Sequence, residues 1–444
     1  MKLFIYRIFL NILDILKRIR RNKADQRYAP LKESFIHNWA EIEKGNTKSS
    51  LIIFASAIGE FNAIRPFIDS YLACNKDSKL IILSHDLQYS SAYNKAYPFA
   101  VVGLMPVPVP RLFDELAFLV KPDVVAIAEG PCLFCHFPLR LDLSLAAMCL
   151  YHKIPLIILN ATPWPKQFIS RIYKIEYFLF HDIFRRAVTI WFTPYEEFKG
   201  QLKADGVPEN KIKVVGDMKY DVDYKQPLKP VDHLAGLLEI FEETPEQPLI
   251  VAGSVSSFEE QMQIISAWTC FKEKYPKAKL VLAPRQVNQY AAMVPLKEFL
   301  RTSCYNYAFR SSCKDIIQNP DLLVLDVYGE LMHFYRIASL CFIGRNHGVL
   351  EPLKFEKPTL VGPAETWDHD KPTYCMYKQH VSCGTVSQVT DMRLLGNVFI
   401  KLLEDKSKQT EMIKNTNDLF LREKGASQKI INYISTFGKE VENV

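Results

Sequence analysis

Residues 326–363, DVYGELMHFYRIASLCFIGRNHGVLEPLKFEKPTLVGP, carry the pattern that sets the fold class. The run 340–344 (LCFIG) is short, apolar and closed by Gly344, as in a parallel strand buried on both faces. A helix opens over 350–356 near Pro352. Glu351 thus stands at a strand-to-helix junction, where open α/β sheets bind ligands. Two readings stay open: a ligand-binding carboxylate, or a first-turn carboxylate favoured only by the helix dipole.

The same unit recurs upstream. LIIFA (51–55) runs through Ser56-Ala57-Ile58-Gly59-Glu60 into a helical pattern with Ile64, Phe67, Ile68 and Leu72. Gly59 permits close approach of another backbone. Glu60, at the helix N-terminus, is either a general base or a capping glutamate. Further strands are expected at 80–84, 100–104, 123–129, 155–160, 188–193 and 211–216. Glu129 and Asn160 end two of them on the rim expected for Glu60. After a Pro-, Glu- and Lys-rich connection come strands at 249–253, 279–286, 322–326 and 340–344, with 380–386 (HVSCGTV) as a last short strand. Alternating strands and helices imply parallel sheets covered on both faces. The expected layout is 1–23 as an amphipathic helix, 48–222 as the first domain and 223–247 as a linker. The second domain then spans 248–425, and 426–444 is a terminal helix.

The chain has 444 residues, 48% hydrophobic and 23% charged, as in globular proteins of more than one domain. Its net charge of +6, from 55 basic against 49 acidic residues, is too small an excess to indicate nucleic acid. The basic residues concentrate at the N-terminus. In MKLFIYRIFLNILDILKRIRRNK (1–23), Arg7, Asn11, Asp14 and Arg18 share one helical face and the apolar residues take the others. Charges interrupt the apolar run, and no small-residue cleavage site follows. A helix lying in the interface of an anionic leaflet, with Lys17, Arg18, Arg20, Arg21 and Lys23 near phosphates, fits best. The alternative is a helix docked on the protein's own core.

Ten cysteines are scattered, several inside apolar runs, which suits a reducing compartment. Cys132-Leu-Phe-Cys135-His136 matches the haem-attachment spacing, but its apolar setting and the lack of an export signal ahead of it favour simple packing. No metal site is expected.

In the second half, Ser254-Val255-Ser256-Ser257 opens a helix, with Ser257 and Glu260 at capping-box spacing. Such a turn is either a phosphate seat or a plain capped helix. Arg285 ends its strand at the same rim, placed to pair with phosphate or carboxylate. The segment 164–186, with Lys166 and Arg171 among aromatic residues, presents either a lipid-facing surface or a core helix with a solvated side.

Taken together, these stretches resemble the bacterial 3-deoxy-D-manno-octulosonic acid (Kdo) transferases. Ser56-Ala57-Ile58-Gly59-Glu60 is similar to the family's S-V-G-E, and Gly216-Asp217-Met218-Lys219-Tyr220-Asp221 to G-N-x-K-F-D. Ala252-Gly253-Ser254 with Glu259-Glu260 resembles A-G-S-T-H-x-G-E-E, and Ala283-Pro284-Arg285 resembles A-P-R-H. Gly329-Glu330-Leu331 looks like D-T-x-G-E-L, while His347 and Leu350-Glu351-Pro352, with Gly362-Pro363 beyond, look like G-G-H-N-P-L-E-P and its following G-P. The chain departs at Val255-Ser256, Gln286 and Gly348-Val349, keeps only Glu129 of E-x-E-x-W-P, and has Thr162 in place of an arginine.

The resemblance implies an inverting GT-B glycosyltransferase of lipopolysaccharide synthesis, with two Rossmann-like domains facing a central cleft and an N-terminal membrane-associating helix. By that resemblance Glu60 is the catalytic base. Ser254, Ser256, Ser257, Arg285, Gly329, Glu330, His347 and Glu351 are donor contacts, while Glu129, Asn160, Lys166 and Arg171 are acceptor contacts. The donor is a CMP-linked sugar, Kdo or a related sugar acid, with no further cofactor. The acceptor is a lipid A precursor or another glycolipid at the cytoplasmic face of the inner membrane, where anionic lipids are the other partner. Two alternatives remain: another nucleotide sugar on the same fold, or an inactive membrane-bound paralogue. Oligomeric state is not legible.

Overall fold

The structure is a computed structural model that describes residues 1–20, 31–43, 49–55, 58–84, 89–128, 139–162, 171–222, 234–285, 290–312, 319–344, 348–364 and 373–435. The chain forms two compact units. The first is Met1–Val222 with Glu423–Val444, and the second is Asp223–Arg422.

The first unit is built on β1 (Phe35–His37), β2 (Ser50–Phe54), β3 (Lys79–Ser84), β4 (Val101–Leu104), β5 (Val124–Ala128), β6 (Leu156–Leu159), β7 (Val188–Thr193) and β8 (Ile212–Val214). Their order is β1-β4-β3-β2-β5-β6-β7-β8. Only the β1–β4 pairing is antiparallel. Alternate residues of β2 enter opposite cores: Ile52 and Phe54 join one apolar cluster, Leu51 and Ile53 the other. This period of two is why the strand reads as an unbroken apolar run, each buried aliphatic side chain contributing about 1.5–3 kcal/mol.

The second unit has β9 (Leu249–Val255), β10 (Lys279–Pro284), β11 (Tyr307–Phe309), β12 (Leu322–Val324), β13 (Leu340–Ile343), β14 (Thr359–Val361) and β15 (Ser387–Gln388). They form one parallel sheet in the order β11-β12-β10-β9-β13-β14-β15. The order reverses around β9, whose carboxyl end is therefore a topological switch point.

Two local expectations need correction, and two short strands went unread. Residues 380–386 are not a strand: the helix Thr373–Ser382 runs through His380 and β15 follows at 387–388. His380 is fully buried there, its Nδ1 2.6 Å from the Thr385 hydroxyl. That hydroxyl also donates to the His380 carbonyl at 3.1 Å, so the pair closes the helix end. β9 continues past Gly253 through Val255, so part of the expected turn is strand. The short strands β1 and β11 carry no long apolar run and escape a reading by pattern.

The helix Lys2–Arg20 packs on the first unit through buried Tyr6 and Leu10. The Tyr6 ring lies 4.8 Å from that of Phe180 in the helix Arg171–Ala187. Arg7, read as part of the polar helical face, is turned inward. It makes two hydrogen bonds to Asp114, one of 3.0 Å, and stacks 4.2 Å above Tyr151. Burial alone would raise the Asp114 pKa, but the hydrogen bonds from Arg7 and His152 outweigh it and hold the carboxyl below its usual range. Phe4, Ile5, Ile8, Ile12 and Ile15 remain exposed. The helix has both a docked face and an outward apolar one. No helix among the described residues is long and apolar enough to cross a membrane.

Candidate functional site

In the second unit the candidate residues gather at the carboxyl ends of β9, β10, β12 and β13. Two glycines make room for close contacts there, one with a side chain and one with a backbone. A Cβ on Gly253 would lie 1.7 Å from the Tyr335 hydroxyl, and one on Gly344 would lie 2.4 Å from the Ser254 carbonyl oxygen. Ser254 itself adopts a left-handed φ of 57°, and the β9–β10 register shifts beside it.

Ser257 caps the helix Phe258–Lys274, its hydroxyl accepting the Glu260 N–H at 3.1 Å. Glu260 reaches back to the Ser256 N–H at 2.8 Å. The reciprocal cap anticipated from spacing thus forms, one residue displaced on the return side. It also occupies a donor that a phosphate at this turn would use. Arg285 follows β10 with its N–H bonded to the Val255 carbonyl at 3.0 Å and its side chain exposed.

Glu351 lies in the first turn of Leu350–Lys354. Its residue keeps some surface, but the carboxyl is enclosed by protein, and burial raises its pKa to about 7. Such a group exchanges its proton near neutrality, so it can both donate to and accept from ligand hydroxyls. Tyr335 is buried against the same region, its pKa raised first by desolvation and then by the Glu351 charge. Tyr377 donates to the Gly344 carbonyl at 2.9 Å, bracing the loop from below.

Glu330 is committed to another partner. It accepts from Arg310 at 2.7 and 3.1 Å in a pair that is nearly buried. Gly329, with φ of 92°, precedes it in an open turn. His347 lies outside the described residues.

In the first unit Glu60 stands part-buried in the first turn of Ile58–Cys74, directly after β2. Nothing lies within 4 Å of where a Gly59 Cβ would be, so the close backbone approach expected at Gly59 is not an internal contact among the described residues. Asn160 has a left-handed φ of 50° and is only 1% exposed. Its amide donates to Asp217 at 2.8 Å and accepts the Met218 N–H at 3.2 Å. Both ends of the amide are used to join β6 to the segment after β8, rather than being turned to a rim. Glu129 and Lys166 lie outside the described residues, as do Cys132, Cys135 and His136. Arg171 begins its helix, and its side chain is not described.

Arg310, Tyr335, Tyr377 and Asp217 were missed by sequence reasoning. Asp217 sits in a quoted motif, but the other three carry no local signal, because their roles come from partners distant in sequence.

Residues 25–222 match the family model for 3-deoxy-D-manno-octulosonic-acid transferase (kdotransferase). A 3-deoxy-D-manno-octulosonic acid transferase of Chlamydia muridarum is 22% identical over 411 residues, 88% of each chain. That of Haemophilus influenzae is 23% identical over 240 residues, 52% of this chain and about half (53%) of the relative. The Aquifex aeolicus enzyme is 23% identical, covering 72% of this chain and 77% of its own. Among solved structures, UDP-GlcNAc 2-epimerase from Neisseria meningitidis, bound to UDP-GlcNAc, superposes with a TM-score of 0.60 at 15% identity, over 87% of this chain and all of that one. Anabaena HepE, in complex with UDP and glucose, gives 0.59 at 11% identity, over 87% of this chain and 99% of that one. At such identities these likenesses establish the two-unit α/β fold alone. The first half of the chain thus resembles the 3-deoxy-D-manno-octulosonic-acid transferase family model, and relatives of that name align with the chain at 22–23% identity.

Proposed function

We propose that this glycosyltransferase moves Kdo or a related sugar acid from a CMP-linked donor to a lipid A precursor, with inversion at the anomeric carbon. The observation that carries the reading is Glu60 in the first turn after β2, inside the segment that matches the family. Its carboxylate accepts the proton of the acceptor hydroxyl, whose oxygen attacks the anomeric carbon as the bond to the CMP phosphate breaks. Arg285 and the dipole of Phe258–Lys274 stabilise the departing phosphate, and Glu351 meets the ribose hydroxyls. The donor is a substrate, and the scheme calls for no resident cofactor.

The acceptor is a lipid, and the first unit has a surface suited to one. Phe4, Ile5, Ile8, Ile12 and Ile15 on the N-terminal helix are exposed, as are Ile175, Phe178 and Leu179 on the helix Arg171–Ala187 that packs beside it. Exposed apolar groups of this extent suit the boundary of an anionic leaflet, here the cytoplasmic face of the inner membrane. Purified protein with CMP-Kdo and a lipid A precursor is expected to give a slower-migrating lipid, and Glu60→Gln to abolish it. Absence of product at every donor concentration overturns the reading.

A second reading, another nucleotide donor on the same fold, is favoured by the Glu260 contact that occupies the Ser256 N–H. Stabilisation in thermal-shift assays by a uridine or guanosine nucleotide, but not by CMP, would select it.

A further inference from the structure

The loop 326–330 leaves the carboxyl end of β12, which pairs with β10 and so neighbours the strand that Arg285 follows. It is pinned at both ends. At its start, Asp326 accepts the Ser311 N–H at 2.8 Å and the Ser311 hydroxyl at 2.6 Å. At its finish, Glu330 receives the two Arg310 bonds described above. Both anchors come from consecutive residues just after β11, so the loop is braced against one short segment. Between them Tyr328 is 67% exposed.

A fork-shaped guanidinium and a carboxylate, nearly buried, constitute a costly device for holding an ordinary surface turn. What the turn presents is one large ring. We propose that Tyr328 is the stacking platform for the base of the nucleotide donor, and that Arg310 positions it through Glu330. The proposal rests on the donor reading above. A phosphate held at Arg285 leaves the base at least one strand spacing away, about 5 Å, and the β12 loop is an immediate neighbour on one side. Stacking tolerates any base because every base has a π face, so Tyr328 supplies affinity while base identity is read elsewhere.

The test is calorimetric titration of the full chain with CMP, UMP and ribose 5-phosphate. Tyr328→Ala is expected to weaken both nucleotides about tenfold while leaving ribose 5-phosphate unchanged, and Tyr328→Phe to bind as wild type. Arg310→Lys keeps the charge but loses the fork. It is expected to weaken nucleotide binding in the wild-type background and to add nothing to Tyr328→Ala, a non-additivity that a merely structural role would not produce. Nucleotide binding by Tyr328→Ala equal to wild type, or an equal loss on ribose 5-phosphate, overturns the stacking role alone. If the wild-type chain binds neither nucleotide, the donor reading fails and the stacking role with it.

Discussion

The carboxylate of Asp221 accepts the backbone N–H of Ser427 at 2.7 Å, across 206 residues of chain. Its other oxygen accepts the N–H of Gly425 at 2.5 Å. Asp221 ends the motif that precedes the exit from the first unit at Val222, and Gly425 to Ser427 begin the helix Ala426–Ile434 just after the chain has returned. One side chain therefore caps the returning helix at the point of departure. Gly425 fits because its φ of 104° belongs to the left-handed region.

Removing this cap is expected to loosen the terminal helix. Asp221→Ala should lower stability by about 1–2 kcal/mol in chemical denaturation, with amide exchange accelerated over 426–434. Unchanged exchange in that helix would rule out the capping role.

Two buried groups pull stability in opposite directions, so it is expected to be nearly flat between about pH 4.5 and 6.5 and to fall on either side. Glu351 has its pKa raised to about 7 by burial, so between the unfolded value and 7 the folded state holds a proton that the unfolded state lacks. The contribution of Glu351 therefore falls as pH rises through this window, by at most about 3 kcal/mol. His380 is pushed down to about 3 by burial, so the unfolded state takes the proton first as pH falls below 6.5. Its contribution is lost on that side. Glu351→Gln should remove the fall above pH 6.5 and turn the flat region into a rise up to pH 6.5 from His380 alone, as read from melting temperature against pH.

The Arg310–Glu330 pair gives a prediction about folding separate from ligand binding. Glu330→Ala leaves a guanidinium nearly buried without its carboxylate and should cost about 3–5 kcal/mol. Replacing both residues by methionine should recover most of that loss in urea denaturation. A double variant as unstable as the single one would contradict the assignment of the loss to an uncompensated charge.

For the N-terminal helix, Ile8→Asp with Ile12→Asp should reduce co-sedimentation with vesicles containing anionic lipid several-fold at unchanged melting temperature. Both side chains belong to the exposed face, Ile8 at 43% and Ile12 at 52%, and neither is part of the buried core. Asp114→Asn is expected to act differently, releasing Arg7 and exposing the helix to proteolysis, because it removes the charge that holds the docked face. Equal vesicle binding by the double aspartate variant would argue against this face as the membrane contact.

The sequence by itself determined the strands buried on both faces and the residue types at their carboxyl ends. Parallel sheets covered by helices need unbroken apolar runs, and 51–54, 124–128 and 340–343 are such runs, so β2, β5 and β13 were legible with Glu60 and Glu351 just beyond two of them. The cap at Ser257 was legible too, because its partner is three residues away. Asn160 was read as a rim group from its place at a strand end, and only the tertiary structure turned it inward to Asp217. Arg310 with Glu330, Arg7 with Asp114, and Asp221 with Ser427 are likewise products of strand order and chain return. Hydrogen-bond partners and burial decide what a polar side chain does. Those depend on which segments lie side by side, which local pattern does not encode.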